Sequence, residues 1–473
     1  MKKTYIVIVL AFLFVSIGSL FIGKTDNRLI LGIKNIFPQS VKNFLNDKIF
    51  FVFKQQDQIN ELKKTNFKLE DKIKLMEMNA YRIQKIQNNL AYDNEKNYYN
   101  LSFLESKEIN GNDNSKYKIS KYFFPSISWQ LNDRKPGGYL FEYDDKIFTL
   151  TGNGEIGYID IKSIDEKNDL ILNKINSNIT EIVDDQKVYS RHRFGFRGIM
   201  INQNKIYVSY QKKIEKNSYN ISIISADLNF DNLQFEDFYS FKESSVKMSN
   251  HTGGKMVPYD ENSFLFTIGD SQMFSSVQKD DSLFGKIVKI NYSTRKVDLI
   301  AKGMRDTQGA SFYKKSKVLV MTEHGPQGGD EINTLLESEF NQYVNFGWPV
   351  ASYGKVKYNV IEELKYENHA ENGFKEPAYW YKKNSIAPSA IINADGFFKN
   401  SEGDFFVSAM GNTPAPGRRS LHHIRFNDDF TKAEVVRIIP VDERVRDILY
   451  VERINRVVMI LENTPLIAFL KPM

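Results

Sequence analysis

One phrase recurs along most of this chain: a small residue, a few apolar residues, a polar turn, then an apolar strand. It runs from Gly138 to Thr151, from Gly198 to Ser209, from Gly254 to Thr267 and from Gly309 to Thr322, and looser copies begin near Ser389 and Arg446. A unit of this kind cannot bury its apolar face alone, so the copies must stack on one another. Starts roughly 55 to 80 residues apart leave room for four strands per unit with insertions. Six such units predict an all-β architecture, a six-bladed β-propeller over residues 118–473. A pair of β-sandwiches is the competing arrangement, and six copies of one phrase favour the propeller. The sixth copy reaches the C-terminus with a strand still to supply, so Tyr117 to Trp129 is expected to pair with the last blade and cover its edge.

The N-terminal part has a different pattern. Tyr5 to Gly23 is free of charge and rich in Ile, Val, Leu and Phe, about the length of a helix that spans a hydrocarbon core of roughly 30 Å. Lys2 and Lys3 precede it, which predicts a single-pass inner-membrane anchor (residues 1–24) with everything after Lys24 on the periplasmic, exported side. A cleaved signal peptide is the rival reading, and it exports the same residues. After a connector (25–44), Ile59, Leu62, Asn66, Leu69, Ile73, Met76, Ala80, Ile83, Gln87 and Leu90 fall at alternating steps of three and four. That seam predicts a helical coiled-coil stalk over 45–92, with Asn66 setting register and a homodimer as its product. A lone amphipathic helix is the alternative. Residues 93–117 read as a linker.

Composition narrows the function classes. A net charge of +6 over 473 residues, with Lys and Asp/Glu interspersed, argues against a nucleic-acid partner. The absence of cysteine excludes disulfides, thiolate metal sites and a cysteine nucleophile.

Functional residues of a propeller come from loops at one end of its channel, so the polar groups flanking each copy of the phrase are the candidates. His251 stands ahead of Gly254, Arg305 and Asp306 ahead of Gly309, His324 follows Thr322, and Arg444 and Arg446 lead into the last copy. Any one of them reads equally well as a solvated turn residue or an ordinary ion pair. Three copies contributing His or Arg at their ends point to one shared site. The stretch Thr322-Glu323-His324-Gly325-Pro326-Gln327-Gly328-Gly329-Asp330-Glu331 leaves a strand into a loop of glycines, a proline and two acids. That is the chemistry of a hard-cation site that also uses main-chain carbonyls.

This stretch, together with Asn345-Phe346-Gly347-Trp348-Pro349, resembles the signature of the pyrroloquinoline quinone (PQQ)-dependent sugar dehydrogenases, the glucose/sorbosone and aldose sugar dehydrogenase family. The resemblance covers residues 118–473 and none of the anchor or stalk. It implies PQQ lying above Ca²⁺ at a propeller's channel mouth, and oxidation of an aldose at its anomeric carbon to the lactone. By this likeness His251 is the general base and Arg305 stabilises the developing oxyanion, while Arg444 and Arg446 pair with PQQ carboxylates. Arg418, Arg419, Asp306 and His324 fall beside the cofactor. The carbonyls of Gly325 and Pro326 match ligands of the cofactor's Ca²⁺, and Asp330 and Glu331 match a second, structural calcium site. A quinone or cytochrome would take the electrons. The chain departs from the family's pattern at Asp306, where Asn is usual, and at Thr149-Leu-Thr-Gly152, where Thr-Glu is usual. With the stalk, these departures motivate the alternative of a non-catalytic, membrane-tethered propeller that binds a ligand or partner protein.

Overall fold

The computed structural model describes residues 97–473 apart from 125–136, 166, 184–194, 216–217, 247–248, 355–367, 383–384, 400 and 412–416. It also describes positions 58, 59, 61–63, 65, 66, 69, 70, 73 and 76. The expected membrane anchor and connector lie outside the described residues, as do the ends of the expected stalk. Among the described residues no helix is long and apolar enough to cross a membrane. The described stalk positions are helical, and the seam residues Ile59, Leu62, Leu69, Ile73 and Met76 are all exposed.

From Tyr98 onward the chain is all-β. Each copy of the recurring phrase is a β-hairpin. Gly138–Tyr143 pairs with Lys146–Thr151, Phe196–Asn202 with Lys205–Glu215, and Gly253–Pro258 with Ser263–Ile268. Thr307–Tyr313 pairs with Val318–Glu323, Pro388–Asn393 with Asp404–Ala409, and Val445–Val451 with Arg456–Leu461. Short polar turns make them: Asp144 (φ 52°) and Asn204 (φ 57°) take the left-handed conformation that matches the twist of paired strands. Further antiparallel strands extend each hairpin outward into a blade-like meander.

The six leading strands form a closed ring, each packing on the next and Val445–Val451 packing back on Gly138–Tyr143. This is the arrangement of propeller-type folds. The small residue that opens the phrase is what lets those strands meet. A Cβ on Gly254 would sit 2.4 Å from Cβ of Arg197, and one on Gly309 would sit 2.7 Å from Cα of Ala390. Side-chain hydroxyls then tie strand to strand: Ser209 donates to Gly254 O at 2.6 Å, Thr267 to Thr307 O at 2.9 Å, and Ser389 to Val445 O at 2.7 Å. The apolar core falls into six clusters, one between each pair of neighbouring units. Burial is therefore distributed around the ring and not gathered at one centre.

The ring closes through Lys116–Phe123, which pairs antiparallel with the C-terminal strand Leu466–Pro472. The segment read as a linker differs from its expectation. Tyr98–Asn110 is a strand that pairs with Lys116–Phe123 on one side and Leu170–Ser177 on the other, fusing the first and sixth units into one ten-stranded sheet. Its burial pattern mixes exposed and buried positions without a clean alternation, so the period-two signal that marks the other strands is missing there.

Candidate functional site

In an antiparallel hairpin the residue ahead of the first strand lies beside the residue that ends the second, and the site is built on that adjacency. In the third unit His251 precedes the first strand and Asp270 follows the second; Nδ1 of His251 lies 3.0 Å from Oδ1 of Asp270. In the fourth, Glu323 ends the second strand and accepts the backbone N–H of Arg305 at 2.9 Å, the N–H of Asp306, and the Thr307 hydroxyl at 2.6 Å. In the sixth, Glu462 receives Nε of Arg444 at 3.1 Å and Nε of Arg446. An acidic side chain thus orients the basic segment of each of these three units.

These units meet. Nη2 of Arg305 lies 3.2 Å from Nε2 of His251, and its Nη1 donates to His324 O at 2.5 Å with Gly325 O at 3.4 Å. Oδ1 of Asp306 accepts the Gly253 N–H at 3.2 Å and Oδ2 accepts Nε2 of Gln308 at 2.8 Å, while Oε1 of Gln308 accepts Nη1 of Arg446 at 3.1 Å. His251, Arg305, Asp306, His324 and Arg446 therefore form one connected cluster. Asp270 is a carboxylate that only accepts and Arg305 a guanidinium that only donates, so their contacts fix the imidazole with its proton on Nδ1 and a lone pair on Nε2. That is the form of a general base.

Electrostatics follow from burial. Burial pushes His324 down to about 4, so it is neutral at pH 7. Burial works against the Asp306 carboxylate, yet His324, His251, the Gln308 amide and Arg197 together hold it below the usual carboxylate value. Of these, Arg197 is the permanent charge, a buried guanidinium on the second unit's leading strand. Glu462 is likewise held low against its burial by Arg446 and Arg444. Burial raises Glu323 to about 8 and Glu331, its partner across the strands, also to about 8, the latter with further help from Glu323.

The remaining predicted residues serve the turn around the cation-type loop. Asp330 closes it, with Oδ1 accepting the Gly325 N–H at 3.2 Å and Oδ2 the Ala387 N–H at 2.9 Å, and burial raises this carboxyl to about 6. Pro326 O accepts the Gly329 N–H at 2.8 Å. Arg418 donates to Ser385 O at 2.7 Å and feels the charge of Asp330. Arg419 adopts φ 55°, and its carbonyl accepts the N–H groups of Val441 and Asp442, the work of a turn residue. Among the described residues no group of three or more His, Asp or Glu is arranged to hold a metal ion. Asp270, Gln308, Glu323, Glu462 and Arg197 were missed from the sequence. The signal for the first, third and fourth was their shared place at the end of a unit's second strand.

Two observations test the implied cofactors. Among the described residues the buried Nε of Arg305 and Nε2 of His324 have no hydrogen-bond partner, which fits a site completed by a polar group. The carbonyls of His324 and Gly325 already draw a positive charge, the Arg305 guanidinium, which is the behaviour expected of cation ligands.

The closed ring of β-meanders is a propeller-type fold, and the cluster lies where its third, fourth and sixth units meet. The sequence profile of the glucose/sorbosone dehydrogenase family matches residues 164–463, and the chain belongs to that family. It is 27% identical over 210 residues to the Escherichia coli aldose sugar dehydrogenase YliI, covering 41% of this chain and 55% of that one. An uncharacterised Synechocystis protein is 23% identical over 223 residues, 42% of this chain and 50% of that one. The chain thus spans about half the length of the curated relatives it matches. In fold it is similar to the apo form of the soluble aldose sugar dehydrogenase of Escherichia coli, with TM-score 0.58, 20% identity, and coverage of 75% of this chain and 100% of that one. The PQQ-bound aldose sugar dehydrogenase of Streptomyces coelicolor superposes with TM-score 0.50 at 15% identity, covering 75% and 98%.

Proposed function

We infer that this chain is a PQQ- and Ca²⁺-dependent aldose dehydrogenase, with a six-bladed propeller carried on an N-terminal membrane anchor. The observation that carries the reading is the cluster in which Asp270 orients His251 and Arg305 lies against its other nitrogen. Nε2 of His251 takes the proton of the sugar's C1 hydroxyl, and Arg305 faces the oxygen on which negative charge grows. When bound, the quinone supplies the hydride acceptor, and Ca²⁺ polarises it as a Lewis acid. Arg305, His324, Arg444 and Arg446 would hold the cofactor, and the carbonyls of Gly325 and Pro326 would hold its calcium. Arg197 compensates Asp306, so that departure from the family pattern does not place an unopposed anion beside the cofactor.

The charge-free run from Tyr5 to Gly23 behind Lys2 and Lys3 supports an inner-membrane anchor with the catalytic part in the periplasm, where a quinone or cytochrome takes the electrons. The exposed helical seam Ile59, Leu62, Leu69, Ile73 and Met76 supports a homodimer through a coiled coil. Titration of the protein with PQQ in the presence of Ca²⁺ should give saturable binding and dye reduction with aldoses. Absence of binding would end the dehydrogenase reading and leave a ligand- or partner-binding propeller.

A further inference from the structure

Trp348 follows the short strand Val344–Asn345, which adds in parallel to the edge of Val297–Lys302. Its N–H donates to Gly303 O at 3.1 Å, and its carbonyl accepts Nε2 of Gln278 at 2.6 Å. The backbone of Trp348 is thereby fixed to the segment that runs directly into Arg305. The side chain is buried, with the edge of Phe274 against it at 6.0 Å between ring centres.

Two of its contacts reach the base cluster. The indole Nε1–H donates to Oδ2 of Asp270 at 2.8 Å, and the guanidinium carbon of Arg305 sits 5.3 Å from the ring centre. With the His251–Asp270 and His251–Arg305 contacts, the four side chains close a circuit. Its polarity is fixed throughout, because the indole only donates, the carboxylate only accepts and the guanidinium only donates. Oδ1 of Asp270 receives both His251 and the Gln272 N–H at 2.7 Å; Oδ2 receives Trp348. Without the indole, that second oxygen of a fully buried carboxylate loses its donor.

We propose that Trp348 is a positioning residue that holds His251 and Arg305 in register, its N–H setting the Asp270 carboxylate that selects the His251 tautomer and its face setting the Arg305 plane. This rests on reading His251 as the base. The charged and titratable groups that face His251 are Asp270, Arg305, Asp306 and His324. Removing the indole donor frees the Asp270 carboxylate to turn off Nδ1, which weakens its hold on the imidazolium and leaves the other three in place.

The test is Trp348→Phe in the full chain, which keeps an aromatic face and removes the donor. With histidine nitrogens labelled and the resonance of His251 among the six histidines assigned through His251→Gln, the neutral ring should show the proton on Nδ1 in the parent and a mixture of tautomers in the variant. Loaded with PQQ and Ca²⁺, the variant should lose about tenfold in kcat with KM within about twofold, as expected for a misplaced rather than absent base. The acid limb of its kcat/KM profile should move to lower pH, because the imidazolium has lost part of its carboxylate partner. A folded variant with unchanged tautomer and unchanged pH profile overturns the inference and leaves the dehydrogenase reading intact. A parent without sugar oxidation removes that reading, and the tautomer measurement still decides the positioning role. Should Trp348→Phe fail to fold, the parent decides: with three tryptophans in the chain, the Trp348 indole proton can be followed against pH. It must sense the titration of His251 through Asp270, and a flat response overturns the inference.

Discussion

Among the described residues the ring holds two histidine–aspartate pairs, one in its third unit and one in its fifth, and they have different uses. His423 lies 2.6 Å from Asp404 through Nε2, and Asp404 also takes Arg425 in two contacts of 3.1 and 3.0 Å. Phe398 stacks near its ring at 4.7 Å, and the histidine is completely buried. His251 lies 3.0 Å from Asp270, but through Nδ1, and its other nitrogen faces Arg305 in the cluster. The His251 side chain is 12% exposed against 1% for His423. Both pairs have a carboxylate to orient a ring; only one leaves a basic nitrogen where a ligand can reach it. A pair becomes catalytic equipment through what its far side meets, and the pair itself is common structural material.

Mutations should separate the two pairs most strongly in turnover. His251→Ala should lower kcat on the order of 10²-fold or more, the loss expected of a general base, with dye reduction as the assay. His423→Asn should leave kcat within about twofold and instead cost about 1–3 kcal/mol in denaturant unfolding, the penalty for disturbing a buried hydrogen-bonded pair. The carboxylates should divide the same way but more gently: Asp270→Asn by a fall of roughly tenfold or more in kcat, Asp404→Asn in unfolding midpoint with turnover kept.

The smallest effect is in the pH dependence of stability. His423 and Arg425 hold the Asp404 carboxyl below its ordinary value although burial opposes them, so its contribution is present above the unfolded value and lost as pH falls through the folded one. Glu331 behaves in the opposite sense. Its carboxyl is raised to about 8, so its contribution is full below the unfolded value and lost as pH rises toward about 8. Unfolding curves should therefore show a loss between about pH 4.5 and about 8 that Glu331→Gln reduces and Asp404→Asn does not. An unchanged loss over that range in Glu331→Gln would remove Glu331 as its source.

Much of the architecture was legible because the units repeat. A glycine that admits a neighbouring strand, an apolar run and a polar turn were the visible marks of each hairpin, and each corresponds to a packing requirement met at Gly254 or Gly309. The strand Tyr98–Asn110 escaped because it serves as a bridge between two units and lacks their alternation. In the site, the basic residues were legible because they lead the repeats. Their acidic partners were harder to see, since Asp270 and Glu462 sit some 20 residues away along the chain and become neighbours only when each hairpin closes.

The sequence alone determined that the chain would build six similar hairpins and that histidine or arginine would stand at the leading ends of three of them, because both are local properties of a copy. Tertiary structure decided that Arg305 of the fourth unit would meet His251 of the third, that Arg197 would answer Asp306, and that Trp348 would touch both Asp270 and Arg305. Those choices depend on which strands the closed ring brings side by side. No single repeat contains both partners of such a contact, so no local pattern could have announced it.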